Sequence, residues 1–156
     1  LGTPWWEPHA RGTIVGLSRG SRREHLVRAA LEAMAYSTLD VLQAMSADRD
    51  LELRSLRADG GAAANDWLMQ FQANVLGVPV RRPAATELTA LGAAGLAGLE
   101  AGVWEEPEEF LEARGAEAEF QPDPLGSGAG KDDVRGWRRA VRTAIHWAHI
   151  EDDGVA

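Results

Sequence analysis

The stretch Leu56 to Gln72, LRADGGAAANDWLMQFQ, decides how this chain is read. A short strand at Leu56 to Ala58 runs into two adjacent glycines and three alanines. A helix follows, with Leu68, Phe71, Val75 and Leu76 on one face. A helix start favours a capping side chain over a run of small residues, so the small residues call for another reason. Gly60 and Gly61 allow positive φ and put no Cβ in the way of a ligand. The amides after them leave a helix N-terminus, where a phosphate or an adenosine edge can be received, and Asn65 can donate and accept there. The same residues also read as a tight strand-to-helix turn with Asn65 as an ordinary cap, since the pattern is neither a Walker motif nor a dinucleotide fingerprint. Asp59 could serve as a base or a metal ligand, but reads better as an Asx-type acceptor for the turn amides.

Downstream, Gly77 caps the helix, Pro79 stops it, and VPVRRP (Val78 to Pro83) reads as a second short strand. Thr86 or Thr89 is the expected cap of the next helix, ALGAAGLAGLEAG. Its interior glycines, Gly92, Gly95 and Gly98, each cost about 1 kcal/mol relative to alanine. Close packing is therefore expected, with at least one of them under another backbone. From Glu105 to Phe120 the composition is acidic and reads as a solvated face. Residues 121–131 read as a loop, and a last helix shows Val134, Trp137, Val141 and Ile145 on one side.

Upstream, residues 1–12 read as an irregular segment and Thr13 to Leu17 (TIVGL) as a buried strand. Ser21 and Glu24 have capping-box spacing, and the helix after them carries Leu26, Ala30, Ala33, Ser37, Val41 and Met45 as its stripe. Strand and helix alternate as far as Val103, which implies parallel pairing, although three strands are few for an α/β sheet. Trp5, Trp6, Trp137 and Trp147 read as buried anchors. His146 and His149 are three apart, but without acidic or thiol partners at matching spacing they read as solvent-facing, so no metal site is expected.

The chain has 156 residues, a formal charge of −8 and no cysteine, with its 16 Lys and Arg scattered. One domain of ordinary size is expected, without disulfides, thiolate metal sites or a nucleic-acid partner. No apolar run reaches the roughly 20 residues of a membrane span, and no signal segment opens the chain. A cytoplasmic location is the expectation. The chain begins with Leu1 in mid-phrase, LGTPWWEP, and reads as a piece of a longer polypeptide.

The Asp59 to Pro83 stretch, DGGAAANDWLMQFQANVLGVPVRRP, resembles the segment that the FGGY family of carbohydrate kinases carries in its C-terminal domain. There an Asp-Gly-Gly is followed by Asn and then Leu-Met-Gln. LGTPWWEPHARGTIVGLSRG is similar to the family's Pro-aromatic-Trp-Asp-Pro, Ala-Arg-Gly and Gly-Leu-Thr-Arg-Gly phrases. RAALEAMAYSTLDVLQAM, ELTALGAAGLAGLEAGVW and RGWRRAVRTAIHW resemble three of its helices, in order. Small departures exist: Trp5-Trp6-Glu7 stands for Tyr-Trp-Asp, Ser18 for Thr, Ser37 for Gln and Leu88 for a smaller or β-branched residue. None touches the glycine turn.

The resemblance implies an α/β, ribonuclease H-like, actin-type ATPase architecture of two domains around a cleft. Residues 1–156 would be most of the second, nucleotide-binding domain, with the acidic segment, loop and helix of 105–156 packing on it. Residue by residue, Gly60 would hold the turn, Gly61 would contact the nucleotide through its backbone, and Asn65 would bond adenosine or its first phosphate. Implied cofactors are ATP and Mg²⁺. Implied partners are ATP or ADP, and glycerol held by parts before Leu1, where the general-base aspartate also belongs. No catalytic residue is expected in this chain, and the full-length enzyme would be a homo-oligomer. A kinase for another polyol or sugar, or an actin-like nucleotide module without kinase activity, are the alternatives.

Overall fold

The computed structural model describes residues 1–49, 52–85, 87–113, 117–123 and 131–150. In chain order the elements are α1 (Arg23–Arg49), β1 (Leu56–Arg57), a 3-10 turn (Gly61–Ala64), α2 (Asp66–Leu76), β2 (Val80–Arg82), α3 (Leu88–Glu100), α4 (Pro107–Ala113), β3 (Ala118–Phe120) and α5 (Lys131–Ala148). They form two compact units, one of Leu1–Glu52 with Ala129–Ala156 and one of Leu53–Gly128.

The sheet unit, Leu53–Gly128, holds three strands in the order β1-β2-β3. β1 and β2 are parallel, with Leu56 opposite Val80, as the alternation of strand and helix implied. β3 runs antiparallel to β2, with Phe120 opposite Val80. It lies within the acidic stretch that reads as a solvated face. Its Glu119 does face outward, where it pairs with Arg81 at 2.6 Å, while Ala118 and Phe120 are half-buried. Val80, on the middle strand, is fully buried.

A parallel pair cannot be closed by a hairpin and needs a crossover. The 3-10 turn and α2 supply it. α2 buries Leu68, Met69, Phe71 and Ala73, and Trp67 stacks on Phe71 with centroids 5.0 Å apart. Gly77 ends α2 in the left-handed region (φ 70°), its amide donating to the Ala73 carbonyl, as expected of a C-terminal cap. α3 starts at Glu87 without a side-chain cap. Thr89 lies inside the helix, and Thr86 falls outside the described residues. Gly95 and Gly98 of α3 lie under aromatic rings rather than under a backbone. A Cβ on Gly95 would meet the Phe110 ring at 2.5 to 2.8 Å, one on Gly98 would meet the Trp104 indole, and one on Gly92 would meet nothing. Phe110 comes from α4, whose glutamates Glu108 and Glu109 are exposed.

The helical unit pairs α1 with α5. At its centre Asp40, 6% exposed, accepts the indole N–H of Trp137 (2.7 Å) and of Trp5 (3.3 Å) on the same oxygen. A buried carboxylate is tolerated when donors meet it. Tyr36, one turn earlier, packs its ring 5.8 Å from that of Trp137. Burial, and then the charge of Glu32, push its hydroxyl well above the ordinary phenol value. The buried line of α1 is therefore Tyr36 and Asp40 with Ala35; of the expected stripe, Ala33 and Val41 are half-buried, while Leu26, Ala30, Ser37 and Met45 are exposed. α5 does present the expected side, with Val141 buried and Val134, Trp137 and Ile145 half-buried.

Three further expectations fail in this unit. Thr13 to Leu17 forms no strand, and Ile14 is 67% exposed; no described strand pairs with it, and without a ladder its β-branched residues have nothing to line. The reach-back expected of Glu24 is made by His25, whose Nδ1 accepts from the Arg22 amide, while the Ser21 hydroxyl accepts from the Ser18 amide. Trp5, Trp6 and Trp147 are exposed rather than buried anchors, Trp5 least of the three. His146 and His149 face solvent as expected. His149 meets the Glu7 carboxylate at 2.7 Å, and the His9 amide, followed by His149, holds that carboxyl below its ordinary pKa. Among the described residues no helix is long and apolar enough to cross a membrane.

The three glycines of α3 can be told apart by stability. Gly92→Ala is expected to stabilise the protein by up to about 1 kcal/mol, through helix propensity alone. Gly95→Ala drives a methyl into the Phe110 ring and is expected to cost about 1–3 kcal/mol. Thermal melting of both variants checks this; equal melting temperatures would mean that the ring moves aside freely.

Candidate functional site

The glycine turn sits at the carboxyl end of β1. The Ala58 amide still donates to the Arg81 carbonyl (2.9 Å), so the strand is held against β2 up to the residue before Asp59. Gly60 then takes φ 83° and ψ 173°, a conformation that side chains rarely adopt. The 3-10 turn closes with the Ala63 amide donating to the Gly60 carbonyl (3.0 Å). Asn65 follows in the extended region, and α2 begins. In open α/β sheets this crevice beyond the strand ends is where ligands bind.

Gly60 and Gly61 are small for different reasons. Gly60 needs its left-handed φ. Gly61 has no such φ, and no atom lies within 4 Å of the place where its Cβ would stand. Nothing in the described chain accounts for a glycine there. The amides of Gly61 and Ala62 donate to no acceptor among the described residues.

Asn65 caps α2: its Oδ1 accepts from the Leu68 amide at 3.1 Å, and its carbonyl accepts from Met69. The cap uses the oxygen and leaves the exposed Nδ2 donors without a partner among the described residues. Asp59 is exposed and accepts no turn amide among the described residues, so the Asx-type bond expected of it is not made. The turn closes through backbone groups instead.

Sequence reading assigned no role to Arg82. From the end of β2 its Nη1 donates to the Ala63 carbonyl (2.8 Å) and to the Asp66 carboxylate (2.7 Å). Its guanidinium lies 5.2 Å from the centre of the Phe120 ring. The available signal was its place on the strand next to β1.

Two other sites compete less well. Among the described residues no three His, Asp or Glu side chains gather to hold a metal ion. A groove of about 660 Å³ in the helical unit lies beside Tyr36 and Trp137, but Glu32, Asp132 and Asp133 line it against the single cation Arg139. That balance repels a polyphosphate.

The model of the FGGY family of carbohydrate kinases, C-terminal domain, matches residues 1–101. The glycerol kinase of Psychromonas ingrahamii is 52% identical over 155 residues, which is 98% of this chain and 30% of that protein. Glycerol kinase 1 of Clostridium tetani is 49% identical over 151 residues, 97% of this chain and 30% of that protein. The chain thus spans about 30% of the length of the curated relatives it matches. Among solved structures, Plasmodium falciparum glycerol kinase with ADP superposes with a TM-score of 0.69 at 28% identity, covering 96% of this chain and 29% of that one. Xylulose kinase from Rhodospirillum rubrum gives 0.71 at 28% identity, covering 92% and 29%. The fold is that of the actin-like ATPase class, as the motif resemblance implied.

The division of labour within the turn predicts a pattern of stabilities. Gly60→Ala is expected to cost about 1 kcal/mol or more, because a Cβ at that φ is strained. Gly61→Ala is expected to be neutral. Asn65→Asp keeps the capping oxygen, whereas Asn65→Ala is expected to lose about 0.5–2 kcal/mol. Denaturant unfolding of the four variants reads this directly; an equal loss at 60 and 61 would overturn the distinction.

Proposed function

The chain belongs to the FGGY family of carbohydrate kinases, and we propose that residues 1–156 are most of the nucleotide-binding domain of a glycerol kinase. The reaction is transfer of the ATP γ-phosphoryl group to glycerol, giving glycerol 3-phosphate. The carrying observation is Gly61, a glycine without a conformational need, facing open space at the carboxyl end of β1. In this reading its backbone lies against the nucleotide and Gly60 holds the turn. Asn65 keeps its Oδ1 on Leu68 and offers Nδ2 to adenosine or to its first phosphate. The choice of glycerol rests on sequence, since relatives named glycerol kinase share about half the residues along nearly the whole chain. Backbone likeness does not decide it, being as close for a xylulose kinase as for a glycerol kinase.

Phosphoryl transfer is governed by positioning and by neutralisation of charge. The bound nucleotide brings the phosphoryl group, and Mg²⁺ supplies neutralisation when bound. The described residues offer no cage for a metal, so Mg²⁺ is assigned to the nucleotide and to other parts of the enzyme. This chain's task is to bind and orient. Asp59 is exposed and Asp66 is paired with Arg82, so neither is suited to act as the general base. The base and the glycerol site are assigned to the part of the relatives' length beyond this chain. Closure of the two domains would then keep water from the γ-phosphate. A cytoplasmic homo-oligomer is the form proposed for the whole enzyme.

Steady-state kinetics of the full-length kinase test this. Gly61→Val is expected to raise the KM for ATP by about tenfold, roughly 1.4 kcal/mol of binding, and to leave the KM for glycerol nearly unchanged. Wild-type ATP dependence in that variant would make the turn only a turn. The 156-residue chain by itself is expected to phosphorylate no glycerol. Turnover by the pure chain would overturn the assignment of the base elsewhere, and preference for a sugar over glycerol by the full-length enzyme would overturn the substrate.

A further inference from the structure

We propose that Arg82 is the positioning residue of the nucleotide turn, fixing the angle at which Asn65 and the small residues before it face the nucleotide; this rests on the reading of the turn given above. Two segments of different helical geometry meet at Asn65. The 3-10 turn ends at Ala64, α2 starts at Asp66, and Asn65 between them is extended, with φ −86° and ψ 104°. An extended residue between two short helical pieces is a place where they can pivot. Arg82 grips both sides of that joint with one nitrogen, donating to the Ala63 carbonyl at 2.8 Å and to the Asp66 carboxylate at 2.7 Å.

The grip itself is held from below. Arg82 ends β2, the middle strand, whose Arg81 carbonyl receives the Ala58 amide from the chain entering the turn. The Phe120 ring of β3 lies under its guanidinium, so the end of the 3-10 turn, the start of α2 and the neighbouring strand meet at one side chain. The Arg82 side chain is 20% exposed and that of Asp66 76%: the anchor is inside and the reach is outward. An ion pair with so exposed a partner adds little to stability, so its consequence lies in geometry. A planar guanidinium can serve a carbonyl and a carboxylate together while lying on a ring; an ammonium serves them less well. With Nη1 engaged by the turn, Arg82 acts through Asn65 rather than on phosphate.

The test uses the full-length kinase with ATP and glycerol as substrates. Arg82→Met is expected to raise the KM for ATP about five- to tenfold with little change in that for glycerol, and Arg82→Lys to recover part of the loss. Because Arg82 acts through the joint, Arg82→Met placed on Asn65→Ala is expected to add less than half of its effect on the wild type. A lower melting temperature with an unchanged KM for ATP, or full additivity with Asn65→Ala, would overturn the proposal. So would a loss of binding that grows from AMP to ADP to ATP, which marks a direct phosphate ligand. If Arg82→Met does not fold, Arg82→Lys carries the same reading of the two KM values, and wild-type values there would overturn the proposal. Gly61→Val separates the two levels. If it too leaves ATP dependence intact, the nucleotide reading fails; if it alone raises the KM, only the role of Arg82 fails.

Discussion

The parallel pairing of β1 with β2, Leu56 against Val80, is the constraint on which the sheet unit depends. Parallel neighbours force the chain to leave the carboxyl end of one strand, cross a face of the sheet and re-enter at the amino end of the next. Residues 58–79 make that journey. The glycine turn, the Asn65 cap, α2 and the Gly77 cap are its successive solutions. The turn lies beyond the strand ends because the topology puts it there, and the residues then decide what can enter. Leu56 donates its amide to Pro79 and Ala58 to Arg81, so the pairing is secured on both sides of the short strand.

What could be read from the sequence was whatever local signals agreed upon. α2 was legible because apolar period, Asn65 and Gly77 all marked the same element. β1 and β2 were legible as short segments bounded by Gly60 and by Pro79 and Pro83. β3 was not: Ala118-Glu119-Phe120 contains no β-branched residue, and only its register against β2 makes it a strand. α1 was legible as a helix but not in its orientation, because apolar periodicity takes no account of Asp40. That carboxylate, meeting two indole N–H groups, turns the helix toward Tyr36 and away from the Ala30 and Ser37 stripe. Thr13 to Leu17 misled in the opposite direction: β-branched composition describes a preference, while a strand exists only where a neighbour pairs with it.

In the candidate site the same limits apply residue by residue. Gly60 and Gly61 are identical letters, yet one is required by φ and the other faces open space with no conformational need, and only coordinates separate the two. The two readings of Asn65, cap and ligand, looked exclusive in the sequence. The structure makes them compatible, because the cap consumes Oδ1 and leaves Nδ2 free to donate. The place of Arg82 on the strand next to β1 could be read from the sequence, but its contacts could not. Its partners are 19 and 16 residues away in the chain, and no local pattern encodes a contact between the end of one strand and the joint after another.

The alanines complete the account of why the turn is so low-walled. In 3-10 geometry side chains three apart lie directly above one another. Gly61 therefore shares its face with Ala64, and a large residue at either position would rise over the other. Ala63 points the opposite way, is 1% exposed, and has room for a methyl because the chain packs against it. A single glycine would suffice to make the bend at Gly60. The further small residues give the turn one inward methyl for packing, at Ala63, and one outward face that stays flat. Under the proposed function that flat face is what an adenine nucleotide lies along, so ligand access, and not backbone strain, keeps the outward positions 61 and 64 small.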